Sequence, residues 1–158
     1  MFREMKRINQ KLSEDECKVL LKTELRGVLG IIGDEGYPYT LPINHYYDEE
    51  ENALYFHSGK TGHKMDAIKK NRKASFCIYD SGYRKEGEWA LNIKSVILFG
   101  KISFIEDQAV IIDKIKKLSY KFTDDDTYIE KEFASALSKT ACLKFTIEHM
   151  SGKIVNEA

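Results

Sequence analysis

The chain has 158 residues, a length that suits one domain able to bury a core without disulfides or a structural metal. Hydrophobic residues make up 42% and charged residues 32%, which excludes a disordered chain. Because 25 basic residues balance 25 acidic ones, no global field favours nucleic acid or an anionic membrane, and any attraction for a phosphate must be local.

The first predicted elements are a short helix and a strand. Ser13 followed three residues later by Glu16 predicts a capping box that opens the helix. An apolar, β-like run over 27–32 follows, and the two glycines of the segment 33–36 predict a turn after it.

The next strand is predicted over 37–47 and contains Pro38 and Pro42. Proline cannot donate a hydrogen bond to a β-ladder, so this strand should lie at an edge of the sheet or at a bend where sheet pairing stops. The acidic segment 48–52 is interpreted as a solvated hairpin tip.

The remainder of the chain predicts further strands and helices. A strand over 89–105 is much longer than the usual five or six residues, which indicates a curled sheet or barrel. The pattern predicts one α+β, mainly β domain over 1–158, with its other strands at 53–57, 74–79 and 141–147 and its other helices at 64–70, 107–120 and 127–138.

The cysteine pattern and the first residues of the chain indicate in which cellular compartment the protein is expected. Cys17, Cys77 and Cys142 are far apart and form no Cys-x-x-Cys pair, which argues against structural zinc and thioredoxin-like chemistry. Cys77 lies in an apolar run and is predicted to be a buried free thiol. The first seven residues are too charged for a signal peptide and no apolar run approaches spanning length, so we expect a cytoplasmic protein without a membrane partner.

The segment from His57 to Lys64 carries the clearest functional signal. It contains two imidazoles, two lysines and two hydroxyls where a strand ends and a helix begins. The free N–H groups and positive dipole end of a helix start favour an anion, above all a phosphate. Lys64 is the predicted phosphate anchor, and a solvated surface lysine is the alternative.

Other interpretations of this region are weaker. His57 and His63 lack the i, i+4 spacing of helical zinc ligands, so no metal site is predicted. For His57, a buried histidine bonded to backbone is the alternative to a cofactor contact. Ser58 has no assignable acidic partner for a catalytic triad, and the cationic segment 69–73 suits a helix C-terminus better than nucleic acid.

Several motifs occur in a defined order along the chain: Gly36-Tyr37-Pro38, Pro42-Ile43-Asn44, Tyr55-Phe56-His57-Ser58, Gly62-His63-Lys64, and Ser95-Val96 with Gly100. Together they resemble the pyridoxamine 5′-phosphate oxidase-like split-barrel flavoproteins, and most of all their nitroimidazole-resistance branch. The opening Met1-Phe2-Arg3-Glu4-Met5 and the tail around 147–153 resemble that branch too. The resemblance therefore covers nearly the whole chain.

The resemblance implies a six-stranded split β-barrel with flanking helices, forming a homodimer with FMN held between the subunits. The flavin ring would lie beside the backbone of 40–45, and the phosphate beside the two segments rich in histidine. The long strand would meet the ring or ribityl chain. The implied cofactor contacts are Thr40, Leu41, Pro42, Ile43, Asn44, His57, Ser58, Gly62, His63, Lys64, Ser95 and Val96.

The implied function is an FMN-dependent oxidoreductase. Electrons would pass from a reduced nicotinamide or another donor to a small flat acceptor such as a nitroaromatic, with His63 as the candidate catalytic residue. A flavin- or haem-binding module without turnover is the alternative, and a deazaflavin in place of FMN is a third possibility. The oxidase proper has an arginine where this chain has His63, and its C-terminal arginine-rich segment and tryptophan are missing here. Oxidation of pyridoxamine phosphate is therefore not expected.

Overall fold

A computed structural model describes all 158 residues and shows one curled antiparallel sheet. Its seven strands lie in the order β2-β1-β5-β6-β7-β4-β3. Their bounds are β1 Arg26–Ile32, β2 Pro38–Asn44, β3 Tyr46–Asp48, β4 Ala53–Gly59, β5 Lys73–Tyr79, β6 Asn92–Ile105 and β7 Thr140–Asn156. The mainly β architecture is as predicted, but the count of six strands is wrong by one.

Four α-helices accompany the sheet: α1 Glu14–Thr23, α2 His63–Lys70, α3 Gln108–Ser119 and α4 Asp126–Ala136. The capping box of α1 is confirmed, because the Ser13 hydroxyl accepts from the Glu16 N–H at 3.1 Å and the Glu16 carboxylate accepts from the Ser13 N–H at 2.9 Å. Helix α2 connects β4 to β5, and α3 and α4 connect β6 to β7.

The extra strand arises because the predicted strand 37–47 breaks at His45 into β2 and β3. The imidazole of His45 is fully buried, and its Nε2 lies 2.7 Å from the carbonyl oxygen of Leu21 in α1. The backbone carbonyl of His45 accepts from the Lys121 ammonium at 2.7 Å. These bonds draw His45 out of the ladder and fix the end of β2.

The last strand is longer than predicted. Instead of ending at 147, β7 continues to Asn156. The residues 149–156 form a strand because they pair with the first half of β6. A register shift lies beside Gly100, where a Cβ would come within 2.1 Å of the carbonyl oxygen of Thr146. The C-terminal segment 149–156 is therefore paired within the chain.

Side chains on the inner face of the sheet form the main core. The largest of those that are fully buried are Phe56, Phe76, Phe145, Leu29, Leu54, Leu98 and Leu143. A second, smaller cluster forms under α3 from Ala53, Tyr55, Ile111 and Cys142. Helix α3 therefore lies over the outer face of β4, and α4 lies beside it, where Tyr128 and Phe133 share a cavity with His57. The outer face of β6 is uncovered at Ile97 and Phe99, which are exposed.

The acidic tip 48–52 is not simply solvated. Asp48 is 9% exposed and accepts from the buried Lys114 ammonium at 2.6 Å. Glu51 accepts from Lys144 at 3.0 Å and from the Tyr55 hydroxyl. The tip is thus tied to α3 and β7. Of the three free cysteines, Cys77 is only half-buried, contrary to the prediction.

The buried His45 should make stability depend on pH. Burial, and then the nearby Lys121 charge, lower the pKa of His45 from 6.5 to about 4, against the effect of its bond to Leu21. Between these values the unfolded chain binds a proton that the folded chain does not, so the free energy of unfolding should fall as pH falls, by on the order of 3 kcal/mol. Urea unfolding from pH 7 to pH 4 measures this. His45→Gln should show a clearly smaller fall, and equal falls in both proteins would contradict the assignment.

Candidate functional site

The predicted site residues of β2 and of the segment 57–64 meet where the barrel fails to close. β2 is an edge strand, as predicted, and pairs only with β1. The ring of Tyr39 on β2 stacks on His63 of α2, with centroids 4.4 Å apart and planes 12° apart. Asn44 and His57 line one cavity of about 160 Å³. We call this gap between β2, the end of β4 and the start of α2 the split.

The two faces of β2 offer different groups to the split. Thr40, Pro42 and Asn44 lie on the outer face, whereas Leu41 and Ile43 pack toward the core. A ligand beside Leu41 or Ile43 can therefore contact only their backbone. Because the second edge of β2 has no partner strand, alternate backbone N–H and C=O groups along it are free to bind.

The end of β4 presents two adjacent residues to opposite sides. Ser58 is 8% exposed and lies on the barrel side, whereas His57 is exposed on the side of α3 and α4. Partial burial of the ring, and then the charge of Lys64, lower the pKa of His57. The His57 ring makes no hydrogen bond to the protein, so the interpretation as a buried, backbone-bonded histidine is wrong.

The start of α2 is an uncapped helix terminus. Gly62 precedes it with φ 120° and ψ 177°, and no side chain accepts from the first N–H groups. Lys64 lies in the first turn without a carboxylate partner, and partial burial lowers the pKa of its ammonium. Free N–H groups and an unpaired cation at one point form an environment that favours an anion.

His63 is held against the turn between β1 and β2. Its Nε2 accepts from the N–H of Asp34 at 3.2 Å and lies 3.7 Å from the Asp34 carboxylate. This bond leaves Nδ1 as the ring nitrogen that remains for a ligand. Neither partner of His63 was predictable, because Asp34 lies in a turn and the pattern did not show which face of β2 carries Tyr39.

Ser95 and Val96 are not at the split of the same chain. Ser95 lies on β6, paired with Tyr79 of β5 and Lys153 of β7. Three strand spacings, roughly 14 Å, separate β6 from β2 across the sheet. The Val96 side chain is fully buried inside the barrel, and its backbone lies between two partner strands.

The uncovered outer face of the sheet carries an apolar surface that the sequence did not reveal. Ile97 and Phe99 of β6 are 38% and 41% exposed there. Phe2 stacks on Phe99 at 5.9 Å and on His149 at 4.7 Å. Beside them lies a cavity of about 550 Å³, which Thr40 of β2 also lines. The contacts of Phe2 join the first residues to β6 and β7.

Two further classes of feature do not occur in the structure. No three His, Cys, Asp or Glu side chains come together in a metal-binding arrangement. No helix combines the length and the apolar character needed to cross a membrane.

The two glycines of the β4–α2 loop should respond differently to alanine. Gly62 has a positive φ that side chains rarely adopt, so Gly62→Ala should lower the free energy of unfolding by about 1–3 kcal/mol. Gly59 has no such φ, and a Cβ there would meet nothing closer than 4.0 Å, so Gly59→Ala is the matched control with little or no loss. Urea unfolding measures the stability of both variants. An equal loss of unfolding free energy in the two would show that the positive φ of Gly62 has no special importance.

Comparison with known proteins gives a family match over most of the chain. The family model described as pyridoxamine 5′-phosphate oxidase matches residues 13–154. No functionally curated protein matches the chain.

Several solved structures have the same fold. A candidate 5-nitroimidazole antibiotic resistance protein from Bacteroides thetaiotaomicron is 21% identical, with 92% of this chain and 87% of that chain covered and a TM-score of 0.80. A FAD-binding protein from Mesorhizobium loti is 21% identical, with 92% and 97% covered and a TM-score of 0.65. A FAD and heme binding protein from Mycobacterium smegmatis is 22% identical, with 94% and 74% covered and a TM-score of 0.71. At these identities the likeness shows the fold alone.

Proposed function

The chain belongs to the pyridoxamine 5′-phosphate oxidase family, and from this premise we propose that it binds the FMN moiety of a flavin in the split. The observation that carries the proposal is the uncapped start of α2, where Lys64 has no partner, beside the free edge of β2. The names of the relatives from M. loti and M. smegmatis, both FAD-binding, support a flavin as the ligand.

The flavin phosphate would lie at the first turn of α2. The N–H groups of His63 and Lys64 would donate to its oxygens, and the Lys64 ammonium would supply a compact positive charge. Gly62 is needed there because its φ of 120° turns the chain into the helix without a capping side chain. The chain has no net charge, so this local cation and the helix dipole are what would attract the dianion.

The flavin ring would lie along the free edge of β2. A pyrimidine ring edge presents both donors and acceptors, and the unpaired N–H and C=O groups of an edge strand match that alternation. The backbone of Thr40, Pro42 and Asn44 would therefore orient the ring, with proline lacking an N–H at its own position. Fixing the ring in this way is what a flavoprotein contributes to chemistry that belongs to the cofactor.

We propose an oxidoreductase as the activity. A bound flavin supplies electron transfer between a reduced nicotinamide, or another donor, and a small flat acceptor such as a nitroaromatic. The name of the B. thetaiotaomicron relative supports an acceptor of the 5-nitroimidazole class. In this chain His63 would orient or protonate the acceptor through Nδ1, since Asp34 already occupies Nε2.

We also propose that the working unit is a homodimer formed through the uncovered outer face of the sheet. Ser95 lies on that face with Ile97 and Phe99, too far from the split of its own chain to meet the flavin there. A second copy would bury the exposed apolar side chains and bring its own Ser95 toward the flavin. Light scattering should give a mass of twice 18.3 kDa, and a mass of 18.3 kDa would refute the dimer.

A redox experiment tests the proposed activity. The protein loaded with FMN should lose its yellow colour on anaerobic addition of NADH or NADPH and regain it when a 5-nitroimidazole is added. A flavin that stays oxidised with every donor would contradict the oxidoreductase and favour a binding module. A Soret band in protein purified with its ligand would indicate haem instead.

Removing the proposed phosphate anchor should weaken FMN binding. Lys64→Ala removes a hydrogen bond to a charged group, a loss of about 1.5–3 kcal/mol or roughly 10- to 100-fold in Kd. Lys60 lies in the same loop, is exposed and precedes the helix, so Lys60→Ala is the matched control with little expected change. Calorimetric titration with FMN measures both, and an unchanged Kd for Lys64→Ala would place the phosphate elsewhere.

A further inference from the structure

The outer side of the split opens into a two-lobed cavity between β4, α3 and α4. One lobe measures about 240 Å³ and the other about 160 Å³. Four side chains line both lobes and so form the wall between them: His57, Ser119, Tyr128 and Glu132. Asn44 on the edge strand β2 lines the smaller lobe, which therefore begins at the split.

The cavity exists because α4 packs loosely on the sheet. Ile129 is the only buried residue of α4, and Phe133 is half-buried beside the larger lobe. Between α3 and β4, Tyr55 and Ile111 fill the space between helix and sheet. The cavity therefore opens only farther along β4, beside His57. The cavity is open to solvent, because Tyr128 is 54% exposed and His57 and Glu132 are exposed as well. Concave surfaces with aromatic walls and a few polar groups are where small ligands bind.

The groups around the cavity change in character from one end to the other. At the end toward the split lies Lys64, in the first turn of α2. Burial, and then the charge of Lys64, lower the pKa of His57. Tyr128 and Phe133 provide aromatic surfaces in the larger lobe. Glu132 faces both lobes and has no cationic partner, since the α4 carboxylate that pairs with Lys116 is Glu130.

This order of groups, from a cation through aromatic rings to an unpaired carboxylate, matches one class of ligand. The cationic end suits a phosphate group, and the aromatic walls suit a flat ring stacked against them. An unpaired carboxylate suits a donor, such as the exocyclic amino group of adenine or the hydroxyls of a ribose. A second phosphate followed by adenosine presents these features in that order.

We propose that the cavity between β4, α3 and α4 holds the adenosine half of FAD. The inference rests on the proposed function, because the FMN half of the same molecule occupies the split. The second phosphate passes His57, the adenine ring stacks in the larger lobe, and Glu132 accepts from the adenosine. The protein then binds FAD in preference to FMN.

Calorimetric titration of the flavin-free protein with FMN and with FAD tests the inference. FAD should bind at least tenfold more tightly than FMN to the natural protein. Ala136→Phe places a ring in the larger lobe and should bring the two Kd values within about twofold of each other, with the Kd for FMN unchanged. Ala134→Phe is the matched control, because Ala134 is exposed on the same helix and lines neither lobe.

The outcomes separate the two proposals. If the natural protein binds FMN at least as tightly as FAD, or if Ala136→Phe keeps the preference, the inference is overturned while the FMN site stands. If neither flavin binds, both proposals fail. Should Ala136→Phe prove unfolded by circular dichroism, Glu132→Gln replaces it, with a selective weakening of FAD expected and an unchanged ratio refuting the adenosine site.

Discussion

The structure depends on a barrel that fails to close at β2. Pro38 and Pro42 lie in this strand without N–H groups, and β2 accordingly pairs with β1 on one side only. Its other edge faces the end of β4 and the start of α2, where Gly62 and Lys64 leave a helix terminus uncapped. Two sets of unsatisfied backbone groups thus face one gap, and neither is satisfied by the protein itself. A ligand with a polar ring edge and an anionic end, as proposed above, would satisfy both.

Contacts with residues distant in sequence hold the C-terminal end of β2 in place. His45 bonds to Leu21 of α1, and Lys121 reaches the carbonyl of His45 across 76 residues of sequence separation. Lys121 also binds the carbonyl of Glu24 at 2.8 Å. The free edge of β2 is therefore presented by a strand whose end is held rigidly, which is what a site that orients a flat ring requires.

Local sequence rules predicted those parts of the fold that are settled locally. The capping box of Ser13, the edge position of a strand with two prolines, and the glycine-led start of α2 each depend on neighbours within a few residues. The features that were wrong or missed depend on distant partners. Asp48 accepts a hydrogen bond from Lys114, which is 66 residues away in sequence. The second half of β7 forms a strand because it pairs with β6. No periodicity within the acidic tip or the C-terminal segment carries that information.

The candidate site also combines features that local sequence predicts with features that depend on distant residues. The segment from His57 to Lys64 was recognisable because its chemistry is concentrated in eight residues. The stacking of Tyr39 on His63 and the cavity under α4 were not, since each is assembled from elements that the barrel brings together. The sequence also could not show that Ser95 lies far from the split, because that distance depends on the strand order, which places β6 three strands away from β2.

We propose above that the start of α2 holds the phosphate of a flavin nucleotide. Amide NMR spectra of the ¹⁵N-labelled protein, recorded with FMN and with riboflavin, test it most directly. Large downfield shifts of the His63 and Lys64 amide protons are expected with FMN, and much smaller ones with riboflavin, which has no phosphate. Equal shifts with both molecules, or amides at 63 and 64 that do not respond while FMN binds elsewhere, would contradict it.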